Sequence, residues 1–352
     1  MTFDLQELVR PNIRRLKPYS SARSEFAGAA EVFLDANENA FGSPAGSGYN
    51  RYPDPLQKEL KERISQINGV DPAQIFVGNG SDEAIDILFR IFCEPGRDAC
   101  IICPPTYGMY RVLADINDVG VIEVPLTSEF QLDVAAILAA VTSATKLIFI
   151  CSPNNPTGNL MRRDDVMRIA AAFDGIVVVD EAYIHFADVT SMTTELATLP
   201  NLVVLQTFSK AWGMAGLRVG LAFASEAIID LMNRVKPPYN VSVIAQRAVI
   251  EALDRKDEID EWVTETLRER DRLMAALGKF EFVQAIFPTD ANFVLVKTTN
   301  ADAIYEHLIG DRIVVRNRSN VELCEGCLRI TVGTPEENSR LLRALEKFQE
   351  RS

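Results

Sequence analysis

Between Gln74 and Phe223 the chain alternates seven short apolar runs with stretches of helical periodicity, and this alternation constrains the fold more than any other feature. The runs are QIFV, ACIIC, VIEV, KLIFIC, GIVVVD, LVVLQTF and VGLAFA, with helical stretches such as DEAIDILFRIF and RRDDVMRIAAAF between several of them. Strands separated by helices build an α/β layer on a largely parallel sheet. GIVVVD and KLIFIC lack polar alternation, the pattern of strands covered on both faces. Ahead of this block, EVFLDANENAFG reads as a short strand entering a loop, YNRYPDP as a turn-rich loop, and Leu56 to Asn68 as a helix. After it, Val241 to Leu277 reads as one long charged helix. FEFVQAI, ANFVLVKT, ADAIYEHLI, IVVRN, CLRITVG and a terminal helix then form a smaller α+β layer.

The 352 residues fit two domains, or one large domain with a satellite. A net charge of −13 argues against wholesale nucleic-acid binding but leaves room for a small cationic pocket. The opening MTFDLQELVR has acids and no apolar core, and no apolar run reaches the roughly 20 residues of a spanning helix. The expectation is a cytoplasmic protein without a membrane partner. Two CxxC pairs, Cys100/Cys103 and Cys324/Cys327, stand more than 200 residues apart. Positions three apart on a strand face opposite ways, so Cys100 and Cys103 are expected to be buried thiols rather than zinc ligands. The two histidines, His185 and His307, are not clustered. His185 reads as a candidate pocket residue and His307 as a helix-surface one, and no metal site is expected.

Five segments carry chemistry. Lys210 follows the apolar run LVVLQTF; desolvation there would lower its pKa and make the amine a nucleophile, although a solvent-exposed strand end reads equally well. Asp180 ends GIVVVD, at the carboxyl edge where open α/β sheets bind ligands, and can pair with a protonated ring nitrogen or cap a helix. Tyr183 follows three residues later and can place a phenol near the same ring. In QIFVGNGSDEAIDILF, Gly78 and Gly80 permit a tight turn, and Gly80, Ser81 and Asp82 then present N–H groups at a helix start, a phosphate site or an ordinary capped turn. CSPNNPTG forms a rigid loop in which Asn154 or Asn155 can hydrogen-bond a ligand, with Pro153 and Pro156 candidates for cis geometry. Arg218 stands eight residues after Lys210, and its guanidinium suits a phosphate dianion; Thr207 and Ser209 add donors.

Taken in order, GNGSDE, PPTYGMY, SPNNPTG, VVVDEAY and TFSKAWGMAGLRVG resemble the pyridoxal-phosphate aminotransferases of fold type I and, within them, the branch that acts on histidinol phosphate. The resemblance runs from RPNIRRLKPY to CLRITVGTPEEN. It implies a large domain over residues 29–245, with a mostly parallel seven-stranded sheet covered by helices, and a smaller α+β domain from 246–352 joined by an N-terminal arm, 1–28. It also implies pyridoxal 5′-phosphate as cofactor. Lys210 would hold the cofactor covalently, Asp180 would pair with its ring nitrogen, and Tyr183 and Asn155 would bond its ring oxygen. Tyr107 would stack on the ring, and Gly80, Ser81, Asp82, Thr207, Ser209 and Arg218 would hold the phosphate. Tyr52 would reach the cofactor phosphate of a second subunit, which requires a homodimer with shared active sites. Arg329 and Arg316 would bind substrate anions, with Tyr19 and Asn37 nearby. The implied reaction moves the amino group of L-histidinol phosphate to 2-oxoglutarate, giving L-glutamate. An aromatic amino-acid aminotransferase, which shares the cofactor residues, and a threonine-phosphate decarboxylase, which shares the fold and phosphate recognition, stand as alternatives. A non-catalytic ligand-binding regulator on the same fold is opposed by the intact Lys210, Asp180 and Arg218 set.

Overall fold

All seven apolar runs become strands of one sheet in the structure, a computed structural model that describes residues 3–19 and 32–351. They are β1 (Ile75–Asn79), β2 (Ala99–Ile102), β3 (Gly120–Glu123), β4 (Thr145–Cys151), β5 (Ile176–Asp180), β6 (Leu202–Thr207) and β7 (Val219–Phe223). Their order is β1-β7-β6-β5-β4-β2-β3, and only β7 runs against its neighbours.

The missing polar alternation in β4 and β5 follows from cover on both faces. Leu147, Phe149, Ile176 and Val178 pack with Ile85 and Leu88 of the helix Ser81–Phe92. Ile148, Ile150, Val177 and Val179 pack on the other side with Val166 and Ile169 of the helix Arg163–Ala172. Each such side chain contributes roughly 1.5–3 kcal/mol on burial. Cys100 and Cys103 enter these two different clusters, as strand geometry requires, and all six cysteines are free and buried.

The smaller layer is an antiparallel sheet of β8 (Val283–Ile286), β9 (Phe293–Thr298), β10 (Arg316–Asn317) and β11 (Cys327–Thr331), ordered β10-β11-β9-β8. Its core takes Leu273 and Leu277 from the helix Lys256–Leu277, Ile304 and Leu308 from Ala301–Gly310, and Leu341 and Leu345 from Pro335–Arg351. Among the described residues no helix is long and apolar enough to cross a membrane.

Four local expectations are corrected. Val32 and Leu34 form no strand; they are 72% and 86% exposed, and no neighbouring strand pairs with them among the described residues. The long helix is two, Val243–Leu253 and Lys256–Leu277, broken where Arg63 pairs with Asp254. The break lets Val249 and Leu253 join the core beside the large sheet, while Leu273 and Leu277 enter the small-sheet core. IVVRN is strand only at Arg316–Asn317. His307 is a packing residue: its Nε2 lies 2.9 Å from the Ala344 carbonyl oxygen and its ring lies against Phe348. The expected boundary between residues 245 and 246 falls inside the helix Val243–Leu253, and that between 28 and 29 lies outside the described residues.

Candidate active site

Parallel strands deliver their carboxyl ends to one edge. β4 ends in Cys151, β5 in Asp180 and β6 in Thr207 at that edge, and β1 ends there before Gly80. The connection from β6 back to antiparallel β7 keeps Lys210 and Arg218 at the same edge. The small sheet adds Arg316 from β10 and Arg329 from β11. Together they enclose a cavity of about 550 Å³ lined by Gly80, Ser81, Asp82, Tyr107, Asn155, Asp180, Tyr183, Thr207, Ser209, Lys210, Arg218, Arg316 and Arg329.

One end of the cavity suits an anion. Gly80 has φ +74° and turns the chain into the helix Ser81–Phe92, whose first N–H groups have no helical acceptor. Arg218, itself in the left-handed region at φ +53°, reaches Ser209 Oγ at 3.4 Å and Asp82 Oδ2 at 3.5 Å. Tyr107 donates its hydroxyl to Asp82 Oδ1 at 3.1 Å, which fixes the ring at the cavity wall. Ser209 N–H donates to Thr207 Oγ1 at 3.1 Å. Glycine is required behind this cradle: a Cβ on Gly220 would lie 2.2 Å from Ser81 N, and one on Gly80 would lie 2.8 Å from an Arg218 terminal nitrogen. Gly220→Ala is therefore expected to push the helix start off β7 and cost about 1–3 kcal/mol, the usual scale for overpacking. Thermal unfolding of the cofactor-free protein checks this; an unchanged midpoint would mean the helix start yields freely.

The other polar feature is a buried carboxylate. Asp180 is 3% exposed and accepts from Tyr110 Oη at 2.8 Å and from Ala182 N–H at 3.1 Å. Tyr110 is fully buried and stacks on Phe149. Burial raises the Asp180 pKa above the usual carboxylate range, and the Tyr110 bond only partly opposes it. Lys210 is not buried in β6; it lies three residues beyond Thr207, accessible through the cavity, with Nζ 5.3 Å from the centre of the Tyr183 ring. Partial desolvation and then the Arg329 guanidinium hold its pKa below the ordinary lysine value. Tyr183 is shifted upward, mainly by burial.

In the Asn-Pro loop the two asparagines divide the work. Asn154 is fully buried and donates to Pro105 O at 2.8 Å and Thr157 Oγ1 at 2.7 Å, so it holds the loop. Asn155 faces the cavity and accepts a hydrogen bond from Arg329. The peptide bonds before Pro153 and Pro156 are both cis.

Three expected residues lie outside this cavity within one chain. Tyr52 and Asn37 line a separate surface depression, where Tyr52 stacks on Tyr239 with centroids 4.4 Å apart. That loop is fixed from below, since buried Lys236 donates to Pro55 O at 2.8 Å and to Asn240 Oδ1 at 3.1 Å. Tyr19 is 76% exposed. His185 does not line this cavity: it is half-buried against Trp212, whose indole N–H lies 3.3 Å from His185 Nε2, and desolvation pushes its pKa down to about 4. Two residues with a stake in the site escaped the sequence reading. Tyr110 was visible only as the last residue of PPTYGMY, and Arg318 as the second arginine of RNRSN.

The residues present fit a phosphorylated aromatic aldehyde. The glycine-backed cradle suits its phosphate, the Asp180 carboxylate suits a ring cation, and the Lys210 amine stands accessible in the same cavity. Comparison with known proteins points the same way. A family described as Aminotransferase class I and II matches residues 24–345. A histidinol-phosphate aminotransferase of Cytophaga hutchinsonii is 54% identical over 348 residues, covering 99% of this chain and all of that one. One from Bacteroides fragilis is 52% identical over 98% of this chain and 99% of its own. The solved structure of the Sinorhizobium meliloti histidinol-phosphate aminotransferase in complex with pyridoxal-5′-phosphate superposes with a TM-score of 0.78 at 27% identity, covering 90% of each chain.

Proposed function

The chain belongs to the class I and II aminotransferases, and from that membership we propose that it moves the amino group of L-histidinol phosphate reversibly to 2-oxoglutarate, giving imidazole acetol phosphate and L-glutamate, a step of histidine biosynthesis. The observation that carries the reading is one cavity with an anion cradle and a buried carboxylate at one side and arginines from β10 and β11 at the other. The names of relatives near 50% identity support the donor.

Pyridoxal 5′-phosphate, when bound, supplies an aldehyde that links to amines and a ring that takes up the electron pair left when the substrate Cα–H bond breaks. Lys210 would hold it through Nζ, and the free Lys210 amine would take the substrate Cα proton on Nζ and return it as an acid. The lowered Lys210 pKa favours the first of these roles. Asp180 would pair with the ring nitrogen and keep it protonated, its carboxylate oriented by Tyr110 and the Ala182 N–H. Asn155 and Tyr183 would bond the ring oxygen, and Tyr107 would pack on the ring. The helix start at Gly80, Ser81 and Asp82, with Thr207, Ser209 and Arg218, would hold the phosphate. Arg329 and Arg316 take the anionic ends of both substrates in turn.

The same reading makes the protein a homodimer. Tyr52, held against Tyr239 outside its own cavity, would serve the phosphate of a second copy, and Asn37 and Tyr19 would approach a substrate. We extend it to a cofactor domain on the seven-stranded sheet, which keeps the helix Val243–Leu253 and so reaches past residue 245, beside a smaller domain on the four-stranded sheet; Val9 and Ile13 of the arm pack with the larger. Six free thiols suit the reducing cytoplasm.

The test is an absorbance spectrum of the cofactor-loaded protein before and after L-histidinol phosphate, without any oxo acid. Conversion of the aldehyde-form band to the amine-form band supports the reading. A band that persists with this donor but converts with tyrosine or phenylalanine overturns the substrate and keeps the cofactor. Arg316→Ala is expected to raise KM for the phosphorylated donor about 10-fold or more, and less for 2-oxoglutarate, because a phosphate dianion gains more from a lost guanidinium's charge. Steady-state kinetics with each substrate varied checks this; equal effects would assign Arg316 a structural role.

A further inference from the structure

Arg318 lines the same cavity as Arg316 and Arg329, and the backbone explains why. Arg316 pairs with Arg329 across β10 and β11, and Arg318 N–H donates to Cys327 O at 2.9 Å just beyond that rung. Residues two apart on an extended segment share a face, so Arg316 and Arg318 point the same way. The wall therefore carries three guanidinium groups. Burial and then the Arg316 charge disfavour the cation at Arg318, and burial and then the Arg318 charge, with Arg316 behind it, disfavour the cation at Arg329. Nε of Arg318 and Nε of Arg329 are both buried without a hydrogen-bond partner among the described residues. Of the cavity's carboxylates, Asp82 is engaged by Arg218 and Tyr107, and Asp180 by Tyr110 and Ala182. Like charges gathered without a counter-charge repel, and an anionic ligand removes that cost.

The size of the charge deficit separates the two substrates. A phosphate monoester carries about −1.5 to −2 at neutral pH, whereas each carboxylate of an oxo diacid carries only one negative charge. Two arginines could balance a carboxylate with donors to spare; three suit a dianion with three acceptor oxygens. Resting on the proposed donor, we propose that Arg318 is a specificity-determining residue, completing with Arg316 and Arg329 a cation site that ranks a phosphate monoester above a carboxylate.

The test uses the cofactor-loaded protein and its Arg318→Gln and Arg318→Lys variants. Each half-reaction is followed separately, and thermal unfolding is read with and without inorganic phosphate. In Arg318→Gln, kcat/KM for L-histidinol phosphate should fall about 10- to 100-fold, mainly through KM, and at least about fivefold more than kcat/KM for 2-oxoglutarate. Arg318→Lys, which keeps the charge but loses the fork, should recover part of the donor loss. Without phosphate the Gln variant should unfold no earlier than the parent, since it loses a repelled charge, and added phosphate should stabilise it less. Equal losses on both substrates, or an earlier unfolding without phosphate, would overturn the proposal in favour of a structural role. Should the parent not use L-histidinol phosphate at all, the donor reading fails by itself. The phosphate-dependent shift then decides Arg318: its reduction in the Gln variant supports the anion site, and its persistence at full size overturns it.

Discussion

Lys210→Ala is expected to lower transamination by at least about 10⁴-fold, the upper range for a lost acid–base group, while the protein stays folded. Both halves of the expectation come from the geometry. Lys210 Nζ is the cavity's sole lysine amine, and it lies 5.3 Å from the Tyr183 ring centre. Its side chain packs into neither sheet cluster, so removing it opens no core void. The charge it removes is one that desolvation and Arg329 already disfavour. The linkage has a definite sign. In the cofactor-free protein the folded chain releases the Lys210 proton below the ordinary lysine pKa, while the unfolded chain keeps it up to that value. Stability contributed by this residue therefore rises with pH between the lowered and the ordinary value, and the Ala variant should lack that rise. The decisive readout is covalent: after borohydride reduction the parent should keep the cofactor through denaturation and the variant should release it. Near-parental turnover, or cofactor retained after reduction and denaturation, would remove Lys210 from the chemistry.

The sheet was legible because strands covered on both faces write themselves as uninterrupted apolar runs. The strand ends were legible because Asp180, Lys210 and the Gly80 turn break those runs with groups that have no reason to sit in a core. What escaped depends on tertiary arrangement. Tyr110 looks like any aromatic on a helix until β2 beside β4 brings the Met109–Ile116 helix over Phe149 and under Asp180. Arg318 differs from an exposed loop arginine only through the rung that joins β10 to β11. The helix break at Asp254 is invisible in composition, since polar residues continue through it; two cores competing for one helix impose it. His185 illustrates the reverse error: its position after DEAY suggested the cavity, yet the short helical turn Ile184–Phe186 points it at Trp212 beneath. Tyr52, Asn37 and Tyr19 share another difficulty: on the proposed dimer their roles lie in a second copy's cavity, and within one chain they stand outside the cavity, Tyr52 stacked on Tyr239 and Tyr19 exposed.

Asp180→Asn separates a functional carboxylate from a structural one, and its expected outcome is unusual for a core position. Removing an ion-paired structural aspartate commonly destabilises a fold, because a buried cation is left alone. Among the described residues no such cation bonds Asp180; its carboxylate oxygens take bonds from Tyr110 and the Ala182 N–H, and burial raises its pKa. A raised carboxylate pKa means the folded state loses stability as pH climbs from the unfolded value through the folded one. The neutral amide avoids that loss; its oxygen can keep the Ala182 N–H bond while its NH2 donates to the Tyr110 hydroxyl oxygen, which accepts as readily as it donates. The cofactor-free Asn variant should thus match or exceed the parent's unfolding midpoint near neutral pH, with the gap closing below the ordinary carboxylate range. Its rate should fall by roughly 10²–10³-fold, the scale for losing one preorganised electrostatic group, because the amide cannot keep the ring nitrogen protonated. Cofactor retention should persist, since the Gly80–Asp82 helix start, Ser209 and Arg218 are untouched. The pair of readouts is what discriminates: a slow enzyme that is no less stable identifies Asp180 as the group that tunes the ring, whereas a destabilised one with parental turnover would make it a strand-end cap.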